Sequence, residues 1–148
     1  MILVKHILEG ARQRLVVLSE NASVPDVAEI LANPETPLVV VCDGEGSAVG
    51  VISRTDIVRI FGRLRADACS TTAAAIMTKA ILSCHADETL QSVWTALGAR
   101  GLRCAPILDD SRKPQGIVHA RDLARALIDE VTSEELLLRD YVLGVGYQ

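Results

Sequence analysis

The sequence predicts an α/β (α+β) fold made of two tandem β-α-β-β-α units that pack about a pseudo-two-fold axis as one module. Three observations predict it. The stretches GVISRTDIV (50–58) and GIVHARDLA (116–124) share one pattern: a glycine, two apolar residues, an aspartate six positions after the glycine, then an apolar run. Displacing the chain on itself by the 66 residues between Gly50 and Gly116 aligns it from about residue 15 to 61 without a gap. The composition is 49% hydrophobic but only 3% aromatic, so the core is built from Val, Ile, Leu and Ala, the mix that suits buried strands in α/β layers.

Each unit opens on a short apolar stretch expected to be a strand, RLVVLS at 14–19 and AILSCH at 80–85. An amphipathic helix follows. Val24, Val27, Ala28 and Leu31 match Leu90, Val93, Trp94 and Leu97, spaced i, i+3, i+4, i+7 on one face. ENAS and HADET before these runs hold Asn, Ser, Asp and Thr as N-cap candidates. Next come a strand (PLVVVCD, 37–43; RCAPILDD, 103–110), a polar turn (GEGSA; SRKPQ) and a second strand (49–53; 116–119), together a β-hairpin. A helix beginning near Asp56 or Asp122 closes the unit, with Ile57, Ile60, Phe61 and Leu64, or Leu123, Leu127, Ile128 and Val131, as its apolar positions. A unit of fewer than about 60 residues buries too little surface to be comfortable alone, and pairing two of them solves that problem. The expected organisation is a first repeat at 1–64, a linker at 65–75 within the small-residue connector GRLRADACSTTAAAIM (62–77), a second repeat at 76–131 and a helical tail at 132–148.

Several function classes find no support. The net charge is −4 and the basic residues are scattered, which argues against a nucleic-acid partner, since that needs a basic stripe to neutralise phosphates. MILVKHILEG is short and interrupted by Lys5, and no stretch reaches 18 apolar residues, so neither a secretory leader nor a membrane span is expected and the expected compartment is the cytoplasm. Cys42, Cys69, Cys84 and Cys104 are dispersed without C-x-x-C spacing and read as small core hydrophobes. A thiol-based redox role for Cys42 or Cys104 is the third-ranked reading. His6, His85 and His119 lie far apart, so no metal is expected. There is no nucleophile elbow, phosphate-cradling loop or H-E-x-x-H motif, and the chain is not expected to be an enzyme.

IMTKAILSCHADETL (76–90), APILDD (105–110) and the two G-h-h-x-x-x-D endings, repeated in register, resemble the CBS-domain pair, or Bateman module. The resemblance covers roughly residues 3–131, with VKHILEG as a degenerate first-copy counterpart of AAIMTKA, and is closest in kind to small stand-alone bacterial proteins of that family. It implies regulatory binding of an adenosine compound such as AMP, ADP, ATP or S-adenosylmethionine in two clefts between the repeats, with no obligatory cofactor, and relay of occupancy to a protein partner. It also implies that a hydroxyl residue and an aspartate of each ending face phosphate and ribose. Carried over residue by residue, that points to Ser53 and Asp56 in the first copy and to Asp122 in the second.

A carboxylate suits a ribose because it can accept hydrogen bonds from both vicinal hydroxyls. An aspartate before an apolar helical run is equally a good N-cap, and the residues alone leave both readings open. His119 stands where the family prefers Ser or Thr, able to donate to a phosphate or to block the cleft, so two unequal sites are expected, the first being favoured. Arg54, Arg121 and Arg103 are candidate phosphate ligands, because a guanidinium fork matches phosphate oxygens. Val40 and Pro106, with Leu15, Ala80 and Ile81, are candidate walls of an adenine pocket, with core packing as the alternative for each. In the tail, Leu136, Leu137 and Leu138 cannot all face one side, and Tyr141 and Val142 extend the face of Leu138. A homodimer through this helix is expected, with packing of the tail back on its own module as the alternative. The competing function is a ligand-free interaction module with vestigial clefts.

Overall fold

A computed structural model describes residues 1–146. After a 3₁₀ turn at Val4–Ile7 come α1 (Leu8–Gln13), β1 (Val17–Ser19), α2 (Val24–Leu31), β2 (Leu38–Cys42), β3 (Ala48–Ser53) and α3 (Arg54–Leu64). A 3₁₀ turn at Arg65–Ser70 and the short helix α4 (Ala73–Ile76) form the connector. The second unit contains α5 (Leu90–Arg100), β4 (Cys104–Leu108), β5 (Pro114–His119) and α6 (Ala120–Gly146). Capping follows the sequence. The Ser23 hydroxyl accepts from the Asp26 N–H at 3.3 Å to start α2, and the Thr89 hydroxyl accepts from the Ser92 N–H at 3.1 Å to start α5.

In the first unit β1 lies parallel to β2, with Leu18 opposite Val41, and β2 pairs antiparallel with β3. In the second, β4 and β5 form the equivalent hairpin, and the bulge recurs at the matching place: Val41/Cys42 in one copy, Ile107/Leu108 in the other. The expected strand at 80–85 is absent. What remains of it is a single parallel bridge, Cys84 to Ile107, at the position equivalent to Leu18–Val41. The cause is Pro106. In the first unit the Val40 N–H donates to the Val16 carbonyl at 3.0 Å. Proline at the equivalent position has no N–H to give, so the ladder stops.

The five residues of β2 are all buried, and their alternation divides them. Val39 and Val41 pack with Val24, Val27, Leu31, Ile52 and Ile57 in the first unit's own core. Leu38, Val40 and Cys42 instead meet Ala48, Leu108 and Ile117 in a core between the two hairpins. The second unit has a core of its own around Leu90, Val93, Leu97, Ile107 and Leu123. Three apolar positions expected in the core are not there: Trp94 is 40% exposed, and α6 leaves Ile128 and Val131 mostly in solvent.

The units exchange their leading segments. The N-terminal segment serves the second unit: Leu3 bridges Thr89, the Leu90 N–H donates to the Ile2 carbonyl at 3.0 Å, and α1 lies across β5. The connector serves the first: Thr72 bridges Ser23, the Val24 N–H donates to the Thr71 carbonyl at 3.0 Å, and Thr78 bridges Val51 on β3. The repeated glycines are the crossing points. A Cβ on Gly50 would sit 2.5 Å from the Met77 sulfur, and one on Gly116 would sit 2.9 Å from the Ala11 carbonyl carbon. Met77 can move a flexible side chain, whereas the backbone of α1 cannot yield without shifting the helix. Overpacking of this kind costs about 1–3 kcal/mol. Gly116→Ala is therefore expected to lower the urea-unfolding free energy by an amount in that range, and Gly50→Ala by clearly less. Equal losses would show that α1 is not pinned at this crossing.

Candidate functional site

The repeated ending does different work in the two copies. In the first it forms a closed capping box. The Ser53 hydroxyl accepts from the Asp56 N–H at 3.3 Å, the Asp56 carboxylate accepts from the Ser53 N–H at 2.9 Å, and Arg59 lies 3.5 Å from that carboxylate. In the second copy His119 takes the cap position, its Nδ1 accepting from the Arg121 N–H at 3.1 Å. The Asp122 carboxylate is then paired with Arg14, which reaches it from the end of α1. The substitution of histidine for serine thus accompanies release of the aspartate from capping.

A cleft of about 650 Å³ opens beside this pair. Its walls come from both units: Gly10, Gln13, Arg14, Pro34, Glu35, Pro37 and Arg54 from the first, Arg103, His119, Arg121, Asp122 and Arg125 from the second. A smaller and more apolar cavity of about 310 Å³ adjoins it, between α1, β5 and α6, with Ile7, Ala11, Ile117, Val118 and Ala126 among its lining. Arg14, Asp122, Arg125 and Gly10 line both cavities. Ser53 and Asp56 line neither; these two cavities gather at the second motif and not at the first, which the sequence favoured.

The cleft is strongly basic, with five arginines against Glu35 and Asp122. Arg54 is not free to swing, because its guanidinium donates to the carbonyls of Leu31 (2.7 Å), Asn33 (2.7 Å) and Thr36 (3.1 Å) and so holds the α2–β2 loop. Arg103 and Arg121 are exposed, and the Arg103 carbonyl accepts the first α6 N–H, that of Ala120, at 2.6 Å. His119 is held below its usual 6.5 by burial and then by Arg121 and Arg14, with Arg103 adding and Asp122 opposing. A neutral ring also fits its Nδ1 acting as a cap acceptor.

The expected adenine walls are placed elsewhere. Val40 has no exposed surface, Pro106 is buried, and Leu15 and Ile81 pack with Val40 between the hairpins. Ala80 is exposed, and none of the five lines either cavity. Arg14, Arg125 and Gln13 were not legible as site residues; Arg14 and Asp122 lie 108 positions apart and meet through the exchange of α1. Burial pushes the thiols up, Cys84 to about 12, and Cys42 and Cys104 in the same direction, which is opposite to what a reactive thiolate needs. Among the described residues no group of three or more His, Cys, Asp and Glu is placed to hold a metal ion, and no helix is long and apolar enough to cross a membrane.

These features can be set beside known proteins. The family model for the CBS domain matches twice, at residues 4–63 and 73–129. An uncharacterized 17.7 kDa protein of Acidianus ambivalens is 28% identical over 136 residues, which span 92% of this chain and 81% of that one. An L-aspartate semialdehyde sulfurtransferase of Methanocaldococcus jannaschii is 28% identical over 110 residues, and the match spans 74% of this chain but only 21% of the relative. Among solved structures, a CBS domain pair in complex with 5′-methylthioadenosine and S-adenosyl-L-methionine superposes with a TM-score of 0.75 at 25% identity, covering 88% of this chain and 98% of that one. With both repeats matched and the paired architecture shared, the chain belongs to the CBS-domain family.

Proposed function

We propose that the protein is a regulatory module that binds an adenosine nucleotide in the basic cleft at the β5–α6 junction and relays its occupancy to a protein partner. One observation carries the reading: Asp122, freed from capping, sits among arginines in a cleft walled by both units. A carboxylate there can take the ribose hydroxyls, and Arg103, Arg121 and Arg125 can take phosphate. The ligands of the related CBS pair, 5′-methylthioadenosine and S-adenosyl-L-methionine, support an adenosine compound as the class. No reaction is assigned to the chain. The sulfurtransferase named among its relatives is about five times the matched length.

Ligand binding to the native state raises the melting temperature, so a thermal-shift screen with AMP, ADP, ATP and S-adenosylmethionine is the direct test. At least one is expected to stabilise the native chain. Asp122→Asn is expected to lower its affinity by about tenfold or more, since it loses charge-assisted hydrogen bonds. Asp56→Ala should leave affinity intact while costing about 0.5–2 kcal/mol of stability from the broken capping box. The converse pattern would move the site to the first motif.

His119 gives binding a pH signature. Its value in the free protein lies below 6.5, and a bound phosphate would raise it. Binding should therefore take up protons and tighten as pH falls from 8 towards 6. Calorimetry in buffers of different ionisation heat would measure the uptake, which should shrink in His119→Gln. An unchanged uptake would place His119 out of reach of the phosphate.

The far end of α6 supports a homodimer as the working form. Leu136, Leu137, Leu138, Tyr141 and Val142 are each more than half exposed. Apolar side chains in such a run need a cover, and a second copy of the helix supplies one. Light scattering should give a dimer for the native chain and a monomer for the Leu138→Glu, Tyr141→Glu double variant. A dimer that survives the change would place the contact on another face; a native monomer would remove this part of the reading.

A further inference from the structure

The proposed nucleotide site contains a charge exchange that decides which adenosine compounds it can accept. Asp122 is already paired, and its partner is Arg14. Both side chains are only about one-third exposed, at 31% and 32%, and both line the two adjoining cavities, so the pair stands at the junction between the apolar space and the basic one. Arg14 meets Asp122 through Oδ2, so a ribose whose two hydroxyls take both carboxylate oxygens must displace the Arg14 guanidinium.

The displaced charge has few places to go. Its neighbours in the cleft are Arg54, Arg103, Arg121, Arg125 and His119, with Glu35 the other carboxylate there, and Asp129 is the remaining carboxylate of the adjoining cavity, which it shares with Arg125. Leaving a half-buried guanidinium unpaired in a positive field is costly. A phosphate attached to the same ribose removes that cost, because it brings an anion to the freed fork in bidentate geometry. Adenosine brings no charge, and S-adenosylmethionine brings a net positive one, its sulfonium standing next to the ribose and its single carboxylate at the far end of the chain beside an ammonium. Resting on the functional reading above, we propose that Arg14 is the specificity-determining residue of the cleft: by exchanging Asp122 for the ligand's phosphate it selects adenosine 5′-phosphates and rejects adenosine and S-adenosylmethionine.

Arg14 lies outside the repeated motif and on the opposite unit, and its counterpart at the 66-residue offset is Ala80. The first motif consequently has no equivalent exchange. There Arg59, from the same helix, lies by Asp56, whose carboxylate remains engaged as a cap.

The test is calorimetry with ATP, AMP, adenosine and S-adenosylmethionine on the full chain and on Arg14→Gln and Arg14→Lys, with circular dichroism to confirm folding. The native chain should prefer the phosphates over adenosine by about tenfold or more, the scale of one hydrogen-bonded charge pair. Arg14→Gln should bring that ratio close to one, losing phosphate affinity while adenosine affinity holds or rises, because Asp122 is no longer occupied. Arg14→Lys, which keeps the charge without the fork, should retain part of the preference. A residue that merely braced α1 against α6 would lower stability and leave the ratio alone. If none of the four compounds binds the native chain, the functional reading fails and this inference with it. If they bind in an Asp122-dependent way but indiscriminately, or if Arg14→Gln keeps the native ratio, the inference alone is overturned.

Discussion

The reciprocal crossing of the two leading segments is the constraint on which the rest of the structure depends. Each unit lacks a piece of its own surface and receives it from the other: α1 covers β5, and the connector covers β3. A two- or three-stranded sheet backed by two short helices is marginal alone. Exchange makes the two cores interdependent and ties them through the apolar layer of Leu38, Val40, Leu108 and Ile117 between the hairpins. It also fixes Gly50 and Gly116, since a side chain at either point would occupy the path of the crossing segment. The glycine of the repeated motif is thus a packing requirement, whereas the aspartate six residues later caps its helix in one copy and pairs with Arg14 in the other.

Because the crossing is symmetric, the small departures from symmetry show where the units have specialised. Proline in place of Val40 at position 106 removes one ladder bond and leaves 80–85 without a strand. Histidine in place of Ser53 dissolves the capping box and leaves Asp122 to an arginine from the other unit. In one copy the motif stabilises a helix. In the other, a histidine nitrogen carries the cap and the carboxylate faces a cleft.

Much of this was legible in the sequence. Repetition with a fixed offset, helical and alternating apolar periods, and turn residues between hairpin strands are local signals, and they located β2, β3, α2, α3 and their copies. The Ser-to-His change marks the place where the two copies differ in how the helix is capped. It did not reveal which copy would carry the cleft, since the outcome turns on whether an aspartate caps its own helix or meets a residue 108 positions away. The candidate adenine walls lie outside the two cavities for a related reason. Val40 and Pro106 belong to strands buried on both faces, and a short apolar run does not say whether its second face meets a ligand or another sheet.

Helix α6 joins the two ends of the proposed mechanism. Asp122 stands in its first turn, and Leu138 and Tyr141 lie on the same uninterrupted helix, with Leu138 about 24 Å further along at 1.5 Å per residue. Arg14 fastens α1 to that first turn, α1 in turn is seated on Gly116, and the segment before it bridges to the start of α5 through Ile2 and Leu3. On the proposed reading, a ligand that exchanges Asp122 for phosphate moves the fastening of α1 from protein to ligand. It thereby changes what holds α6 at its cleft end while the apolar tail engages a partner. A helix continuous between the two places needs no further linkage to carry a tilt. The size of any such response is bounded by the difference in affinity between the two arrangements, which is set at the Arg14–Asp122 pair.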